Sequence, residues 1–474
     1  MYNLRNLYYS LRAGSSRTVY WDFAQSRKRK AKLRQREFSA FASHVRSERE
    51  RLRITLAAAD TSGDDEARLA AAVAWVLLAQ QATPDDGVSL GYFPLDVDGG
   101  WHASYPETTG YLITSLLAYA AHYQRPDVRR AALAMAHWEV DVQMASGAVQ
   151  GGAVAPRHQQ TPAAFNTGMV LDGWCSAYEA SGEQRFLDAG SAAVRFLVAD
   201  MDEGGYFKTN GEFVSQDETK TYNCLCAWAM LRMARLTADI NLERTAVRAV
   251  EAALKRQRPN GWFANNCLDI SSMPLTHTIG YTLQGVFEVG VLAGREDFIT
   301  AAELGLTNVL KKQRPNGFLA GRFDEQWRPV ANFVCLTGSC QLAVVAYRFV
   351  ELFGRHGLLA AADRLMSFVK GTQRLAAEDP NTVGAIPGSY PILGGYMTGG
   401  YPNWATKYFI DALLRRAACD TGRVGLANGQ AEQHKGCMRY SPANSPDPDR
   451  TQSPRPTSHL KFHCSVPDMD NVRL

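Results

Sequence analysis

Two kinds of helical segment alternate along the chain from about residue 65 onward. In the first kind, apolar residues recur at helical spacing on one face and polar residues occupy the opposite face. This pattern is typical of helices that have one side in water, so we expect these segments to be outer helices. They are predicted over Glu66–Gln81, Asp127–Gln143, Gln184–Asp200, Glu243–Gln257, Glu296–Gln313 and Leu358–Gln373.

The second kind of segment is apolar nearly all round and begins with a small polar cluster. A helix that is apolar on all sides is buried on all sides, so these segments are predicted to be inner helices. Their starts are 55 to 68 residues apart, which indicates a repeat of an outer and an inner helix, six times over. They cover Glu107–Ala121, Asn166–Ala180, Tyr222–Leu236, His277–Leu292, Cys335–Phe353 and Asn403–Arg415.

Short motifs recur in register with this repeat. The strings KRQRPNGWF (Lys255–Phe263) and KKQRPNGFL (Lys311–Leu319) both lie where an outer helix ends. A glutamine in the last turn of the helix, a proline just past its end and an Asn-Gly turn indicate a structural role. We call such a loop a staple, because it fastens the end of an outer helix. Glycine costs a helix about 1 kcal/mol relative to alanine, so the glycines of the inner helices predict close helix approach. They occur in Thr109-Gly110, Thr167-Gly168, Thr337-Gly338 and at Gly280.

These patterns predict an all-α fold, an (α/α)6 toroid of six helical hairpins over residues 65–420. An open solenoid would need polar capping repeats, whereas six all-apolar inner helices favour a closed ring. Residues 1–64 are expected to form a basic N-terminal arm. Residues 421–474 are rich in Pro, Ser, Asp and Asn and are expected to be a disordered low-complexity tail.

Composition and charge limit the classes of partner and the cellular location that we expect for this protein. The chain has 474 residues, of which 46% are hydrophobic and 21% charged, and its net charge of +4 gives no footprint of a nucleic-acid binder. The basic run Arg27–Arg36 follows several aromatic residues, so the arm is either solvated or contacts anionic lipid or a lipid-linked glycan. No long apolar segment or signal-peptide core is evident, which predicts a cytoplasmic protein, with peripheral contact at the inner membrane as an option.

No cofactor and no metal are expected. The nine cysteines lack paired CxxC spacing and are interpreted as reduced thiols. The chain shows neither a Gly-rich phosphate loop after a strand nor an HExxH motif. The oligomeric state stays open.

The repeat resembles the α/α toroids: six-hairpin glycosidases, uronate-acting polysaccharide lyases and epimerases, and terpenoid cyclases. Phe165–Ala189 and Tyr401–Leu414 look like hairpins of the carbohydrate-active toroids. Gln257–Trp262 is similar to the Gln-x-x-x-Gly-Trp repeats of terpenoid cyclases, but the chain has no DxDD proton donor. The resemblance therefore implies a carbohydrate-active protein first and a terpenoid-cyclase-like enzyme second.

In such a ring, the loops that lead into the inner helices meet at one mouth, where we expect the site. His277 and Tyr281 are four residues apart and share a helix face. Asn and His can neutralise a uronate carboxylate while Tyr moves the proton, and aromatic side chains can stack on sugar faces. The predicted catalytic residues are Tyr222, His277, Tyr281, Asn166 and Glu107. The predicted substrate-binding residues are Tyr105, Asn223, Arg322, Tyr390, Tyr401, Asn403 and Trp404.

The function predicted from these residues is modification of an acidic, uronate-containing glycan by proton abstraction, as in a lyase or C5-epimerase. A glycoside hydrolase is the first alternative and needs a second carboxylate beside Glu107. The acids considered for that role are Asp217, Glu218, Asp324 and Glu325. A terpenoid-cyclase-like enzyme and a non-catalytic glycan-binding ring are the remaining alternatives.

Overall fold

The computed structural model describes residues 65–94, 100–211, 214 and 218–421. The arm predicted over residues 1–64 and all but the first residue of the predicted tail lie outside this part of the chain. Twelve α-helices are described, and none of them is long and apolar enough to cross a bilayer. They are α1 (Asp65–Gln81), α2 (Pro106–Tyr123), α3 (Pro126–Val142), α4 (Ala164–Ser181), α5 (Gln184–Asp200), α6 (Leu225–Thr237), α7 (Ile240–Leu254), α8 (Thr276–Ala293), α9 (Glu296–Leu310), α10 (Leu336–Phe353), α11 (Leu359–Lys370) and α12 (Asn403–Thr421).

The even-numbered helices form a closed inner ring. Each of α2, α4, α6, α8 and α10 packs against the next even-numbered helix, and α12 packs back against α2. The odd-numbered helices surround this ring, which confirms the predicted all-α (α/α)6 toroid. Three 3₁₀ turns at Arg157–Gln159, Thr221–Cys224 and Pro380–Thr382 lie in the connections into inner helices, and a fourth, His356–Leu358, lies before α11.

Each hairpin consists of an inner helix followed by an outer helix. The connections from α2, α4, α6, α8 and α10 to the next helix are short, so the two helices pack antiparallel. The hairpin that closes the ring joins the two ends of the described chain, since α12 packs against α1. The repeat predicted from the sequence puts the outer helix first, whereas the short connections show that the inner helix comes first in each hairpin. Each short connection begins with a residue of positive φ: Gln124, Gly182, Ala238, Gly294 and Gly354.

The glycines of the inner helices lie at close helix contacts, as predicted. A Cβ at Gly110 would lie 2.5 Å from the Cα of Val170 on α4. A Cβ at Gly168 would lie 2.6 Å from the Sγ of Cys226 on α6. The inner helices therefore approach one another through these glycines, which offsets the cost of placing glycine inside a helix.

Glutamines at the ends of outer helices explain the repeated QRPNG loop. The Nε2 of Gln257 donates to the carbonyl of Ala301 on α9 at 2.8 Å. Gln313 donates in the same way to Ala361 at 3.0 Å, Gln143 to Ala189 at 3.0 Å and Gln373 to Arg68 at 2.9 Å. Each glutamine thus ties its own outer helix to the next one around the ring. The predicted staple is confirmed, and its partner is the neighbouring repeat.

Short strands join the loops at one end of the ring. Strand β1 (Gly91–Phe93) pairs antiparallel with β2 (Gly100–Trp101) and with β5 (Tyr401–Pro402), and β3 (Val334–Cys335) pairs with β4 (Ser389–Tyr390). Strand β1 precedes α2 and β5 immediately precedes α12, so this sheet joins the first and last inner helices. These loops form the mouth at which the site was expected.

Two arginines of the inner helices each pair with a buried acid on the preceding inner helix. Arg232 on α6 contacts Asp172 at 2.5 Å and Glu179 at 2.6 Å, both on α4. Arg348 on α10 contacts Glu288 on α8 at 2.9 Å. The buried acid Asp172 is therefore paired across a helix interface, where it has a structural role.

Candidate active site

Aromatic side chains from four inner helices meet across the mouth of the ring. The ring of Tyr281 on α8 lies 4.7 Å from that of Phe165 on α4 and 6.1 Å from that of Tyr408 on α12, between centroids. Tyr408 in turn lies 5.8 Å from Tyr111 on α2. We use the term aromatic cage for this cluster and the rings that extend it. Its members are Tyr105, Tyr111, Phe165, Tyr222, Tyr281, Tyr396, Trp404 and Tyr408.

Glu107 lies at the centre of the aromatic cage. It is in the first turn of α2 and keeps part of its surface accessible. Burial is the main cause of a raised pKa in six tyrosines of the cage, and the charge of Glu107 adds to it in each, so the carboxyl group is near all of them: Tyr105, Tyr111, Tyr222, Tyr281, Tyr396 and Tyr408. Burial raises the pKa of Glu107 itself to about 8. Loss of hydration therefore keeps this carboxyl protonated at neutral pH.

His277 lies at the edge of the same cage. Its ring is 4.4 Å from that of Tyr281 and 5.3 Å from that of Tyr396, between centroids. Its Nδ1 is 3.0 Å from the Oε1 of Gln341 on α10. Burial lowers the pKa of His277 to about 4, although the hydrogen bond to Gln341 opposes that shift. The imidazole is therefore neutral at neutral pH and can accept a proton.

Several buried polar atoms in the cage have no hydrogen-bond partner among the described residues. The hydroxyls of Tyr111 and Tyr281 lie near each other, but neither has a partner with good geometry, and the Nε2 of Gln341 is also unpaired. Buried polar groups are nearly always hydrogen-bonded to protein, water or a ligand. These hydroxyls and this amide are therefore the polar groups of the site that have hydrogen-bonding capacity left.

The tyrosines of the cage are neutral phenols. Burial and the charge of Glu107 raise the pKa of Tyr222 and of Tyr281 well above the usual range. A phenol that resists ionisation is a hydrogen-bond donor rather than a base. The sequence predicts that a tyrosine moves the proton, and at neutral pH these phenols are protonated and can only donate one.

Three asparagines predicted for the site fasten the loops of the mouth. The Nδ2 of Asn166 donates to the carbonyl of Gln150 at 3.0 Å, and that of Asn403 donates to Ser89 O at 2.8 Å. Asn223 donates to the side chain of Asn210 at 3.0 Å. These amides hold the loops in place, and among the described residues none of them hydrogen-bonds to Glu107 or His277.

The remaining predicted binding residues divide into two groups. Tyr105 and Trp404 pack at 6.1 Å between ring centroids and belong to the cage. Arg322 is held by Asp269 at 3.1 Å and by the carbonyl of Met273 at 2.9 Å, so its guanidinium is engaged in a loop. Two tyrosines of the short strands also pack elsewhere: Tyr390 against Phe368, and Tyr401 near Arg374 and Asp379.

The carboxylates considered as partners for Glu107 are engaged elsewhere. Glu218 contacts Lys220 at 2.6 Å, and Asp324 contacts Arg328 at 2.7 Å. Glu325 is exposed and accepts from the side chain of Gln326 at 2.9 Å. Asp217 lies outside the described residues. Among those residues, no carboxylate contributes to the raised pKa of Glu107.

Four residues of the site were not predicted from the sequence: Tyr111, Gln341, Tyr396 and Tyr408. Two of them carried a signal, because Tyr111 follows Glu107 by four residues and Tyr408 follows Trp404 by four, the spacing that links His277 to Tyr281. Tyr396 lies in the loop between β4 and β5 and accepts a hydrogen bond from the Nε1 of Trp404 at 2.8 Å. Only the fold brings this loop and Gln341 next to His277.

Comparison with solved structures supports the toroid fold. No protein-family model and no curated sequence relative matches the chain. Among solved structures, an unsaturated glucuronyl hydrolase specific for heparin matches with a TM-score of 0.60 at 14% identity, over 76% of this chain and 99% of that one. The chain has the six-hairpin glycosidase-like fold.

Two further solved structures share this fold. A GH76 α-mannanase from Bacteroides thetaiotaomicron matches with a TM-score of 0.58 at 12% identity, over 76% of this chain and 97% of that one. A cellobiose 2-epimerase from Bacillus thermoamylovorans matches with a TM-score of 0.57 at 12% identity, over 79% of this chain and all of that one. At such identities the similarity establishes the toroid and leaves the reaction to be argued from the site.

Proposed function

We propose that the protein is a glycan-modifying enzyme that transfers a proton at a ring carbon of a uronate sugar, as a lyase or C5-epimerase does. One observation carries the proposal: environment shifts the pKa values of an acid and a base in opposite directions at one site. Glu107 titrates near pH 8 and His277 near pH 4, and Tyr281 and Tyr396 lie beside both groups. Such divergence assigns the acid and the base of a proton-transfer reaction.

The roles follow from these protonation states. His277 is neutral and takes the proton from the carbon next to the carboxylate. Charge then develops on the substrate carboxylate, where protonated Glu107 and the hydroxyls of Tyr111 and Tyr281 donate hydrogen bonds. Because Glu107 is itself neutral, it can bind a carboxylate without burying two like charges together. The aromatic faces of the cage stack on the sugar ring.

Glycoside hydrolysis is the second candidate function. The raised pKa of Glu107 suits a general acid that protonates a leaving oxygen. Two of the similar structures are a glucuronyl hydrolase and a mannanase. Hydrolysis also needs a base or nucleophile, and Glu218 and Asp324 are engaged with cations. Proton abstraction needs only groups that the cage already contains, so it is preferred.

The test is incubation with a panel of uronic-acid polysaccharides in deuterated water, followed by proton NMR and by absorbance of unsaturated uronate. Deuterium at C5 without chain cleavage identifies an epimerase, and new absorbance identifies a lyase. New reducing ends with neither signal would replace the proposal with hydrolysis. If none of the three signals appears while the polysaccharides still bind, a non-catalytic ring is indicated.

The cellular setting is part of this proposal. The basic arm is outside the described residues, and its contact with anionic lipid or a lipid-linked glycan stays a prediction, as does a cytoplasmic location. Binding of the full chain to anionic vesicles, compared with the chain lacking residues 1–64, tests the lipid contact. Equal binding of the two chains would contradict it.

A further inference from the structure

Gln341 is a fully buried amide that contacts the proposed base. It lies on α10, and its Oε1 is 3.0 Å from the Nδ1 of His277 on α8. The absence of a side chain at Gly280 makes room for it, since a Cβ there would lie 2.7 Å from the Cβ of Gln341 and 2.9 Å from its Oε1. The amide is thus packed tightly between the two inner helices.

The chemistry of this contact selects one tautomer of the imidazole. A carbonyl oxygen only accepts hydrogen bonds, so the ring nitrogen that faces it must carry the hydrogen. The side chain of Gln341 also lies beside the hydroxyl of Tyr408, on α12, although its Nε2 makes no hydrogen bond of good geometry. The Oε1 of Gln341, rather than its Nε2, is the atom that faces the Nδ1 of His277.

We propose that Gln341 is a positioning residue that holds His277 in the Nδ1–H tautomer, so that its Nε2 is the atom that takes the substrate proton. The inference deepens the proposed function and rests on it for the role of His277. A neutral imidazole whose tautomer is fixed by a buried partner needs no rearrangement before it accepts a proton.

The other groups around His277 do not compete for this role. Tyr281 on the same helix and Tyr396 from the loop before α12 are neutral, because burial raises the pKa of each phenol. Cys335, just before α10, lies beside the backbone N–H of His277, and burial raises the pKa of its thiol to about 11. Glu107, which faces both tyrosines, is protonated below about pH 8. Gln341 is therefore the group that sets the tautomer.

The test uses two substitutions of similar size at the same position. Gln341→Glu keeps an oxygen that accepts from Nδ1, whereas Gln341→Met removes it, so both disturb the packing alike and only one removes the acceptor. The full chain is labelled with ¹⁵N-histidine, and the signals of His277 among the ten histidines are assigned from their loss in His277→Gln. NMR reports the tautomer and the pKa without any substrate.

The expected result at pH 7 is a pyrrole-type Nδ1 and a pyridine-type Nε2 in the wild-type protein and in Gln341→Glu. Gln341→Met is expected to show mixed tautomers and a kcat lower by about 10- to 100-fold. In Gln341→Glu, the added carboxylate raises the pKa of His277, so the acidic limb of kcat/KM moves to higher pH.

A pyridine-type Nδ1 in the wild-type protein would overturn the inference, and so would an unchanged tautomer in Gln341→Met. Neither of these outcomes depends on turnover. If the tautomer is as expected but no glycan is modified, the arrangement stands and the proposed function fails, so the two failures are distinguishable.

Discussion

At the residue scale, the site depends on how burial changes two ordinary side chains. The positions of Glu107 and His277 at starts of inner helices could be predicted from the sequence, because the repeat places those starts at one mouth. Their protonation states could not, since these depend on how strongly the folded protein desolvates each group. The same limit applies to Asn166, whose helix start was predicted but whose amide holds a loop.

The pH dependence of activity follows from these two groups. The base is lost when His277 is protonated below about pH 4, and the acid is lost when Glu107 ionises above about pH 8. We therefore expect a bell-shaped kcat/KM between those limits. Glu107→Gln keeps a neutral hydrogen-bond donor that cannot ionise, so it should retain much of the rate and should lose the alkaline limb. The exposed Glu203→Gln is the control, and an alkaline limb that persists in Glu107→Gln would assign it to another group.

The raised pKa of Glu107 also has a consequence for stability. The unfolded chain ionises this group near its ordinary value of 4.5, whereas the folded protein resists ionisation up to about pH 8. Below pH 4.5 the group is protonated in both states and has no effect on stability. As the pH rises from there to 8, ionisation increasingly favours the unfolded chain, and the full cost applies above pH 8.

Glu107→Gln removes this cost, so it should be more stable than the wild-type protein at pH 9, by a few kcal/mol at most, and nearly equal to it at pH 5. Urea unfolding of both proteins at the two pH values measures the difference. Equal differences at pH 5 and pH 9 would mean that the carboxyl group is hydrated in the folded state. The Glu203→Gln protein again serves as the control.

At the scale of elements, the positions of the helices could be predicted from the apolar pattern, whereas the contacts between them could not. The sequence located all twelve described helices, because amphipathic and all-apolar segments alternate with a regular period. The inner helix predicted from Tyr222 begins instead at Leu225, after a 3₁₀ turn. The order of the two helices in a hairpin depends on which connections are short. The partner of each glutamine lies in the next repeat, 44 to 48 residues further along the chain for Gln257 and Gln313.

The staples can be tested one at a time. Gln143 and Gln313 each donate to a backbone carbonyl of the next outer helix, and the two lie in different interfaces. Replacing either with leucine should lower the free energy of unfolding by about 1–2 kcal/mol, because a part-buried hydrogen bond between helices is lost. The double substitution should cost the sum of the two, since the sites share no partner.

Gln184→Leu is the matched control for the staples. Among the described residues, its side chain bonds only Asp188, on the exposed face of its own helix, so the loss should stay within about 0.5 kcal/mol. Urea unfolding followed by circular dichroism measures all four proteins. A loss at Gln143 or Gln313 no larger than that of the control would show that the turn residues, and not the glutamine, fasten the loop.

At the scale of the whole molecule, closure of the ring converts a repeat into one cooperative structure. In an open array each repeat contacts only its neighbours, and the terminal repeats can unfold separately. In this toroid the two ends of the described chain meet: the Nε1 of Trp75 donates to Asn381 O at 2.7 Å, and Ser115 donates to Asp411 at 2.6 Å. The all-apolar inner helices predicted closure, but these individual contacts had no signal in the sequence.

Asn403 provides the test of closure, because its amide donates to Ser89 O and to Thr108 Oγ1, both at 2.8 Å, and so joins the last inner helix to the first. Asn403→Ala should cost about 1–3 kcal/mol through the buried groups that it leaves unpaired. Because a closed ring is expected to unfold as a unit, hydrogen exchange measured by mass spectrometry should accelerate to a similar extent in α12 and in α6, on the other side of the ring. The midpoint of urea unfolding should fall with an unchanged m-value. Faster exchange confined to α12 and α1 would show instead that the closing hairpin opens independently, as the end of an open array does.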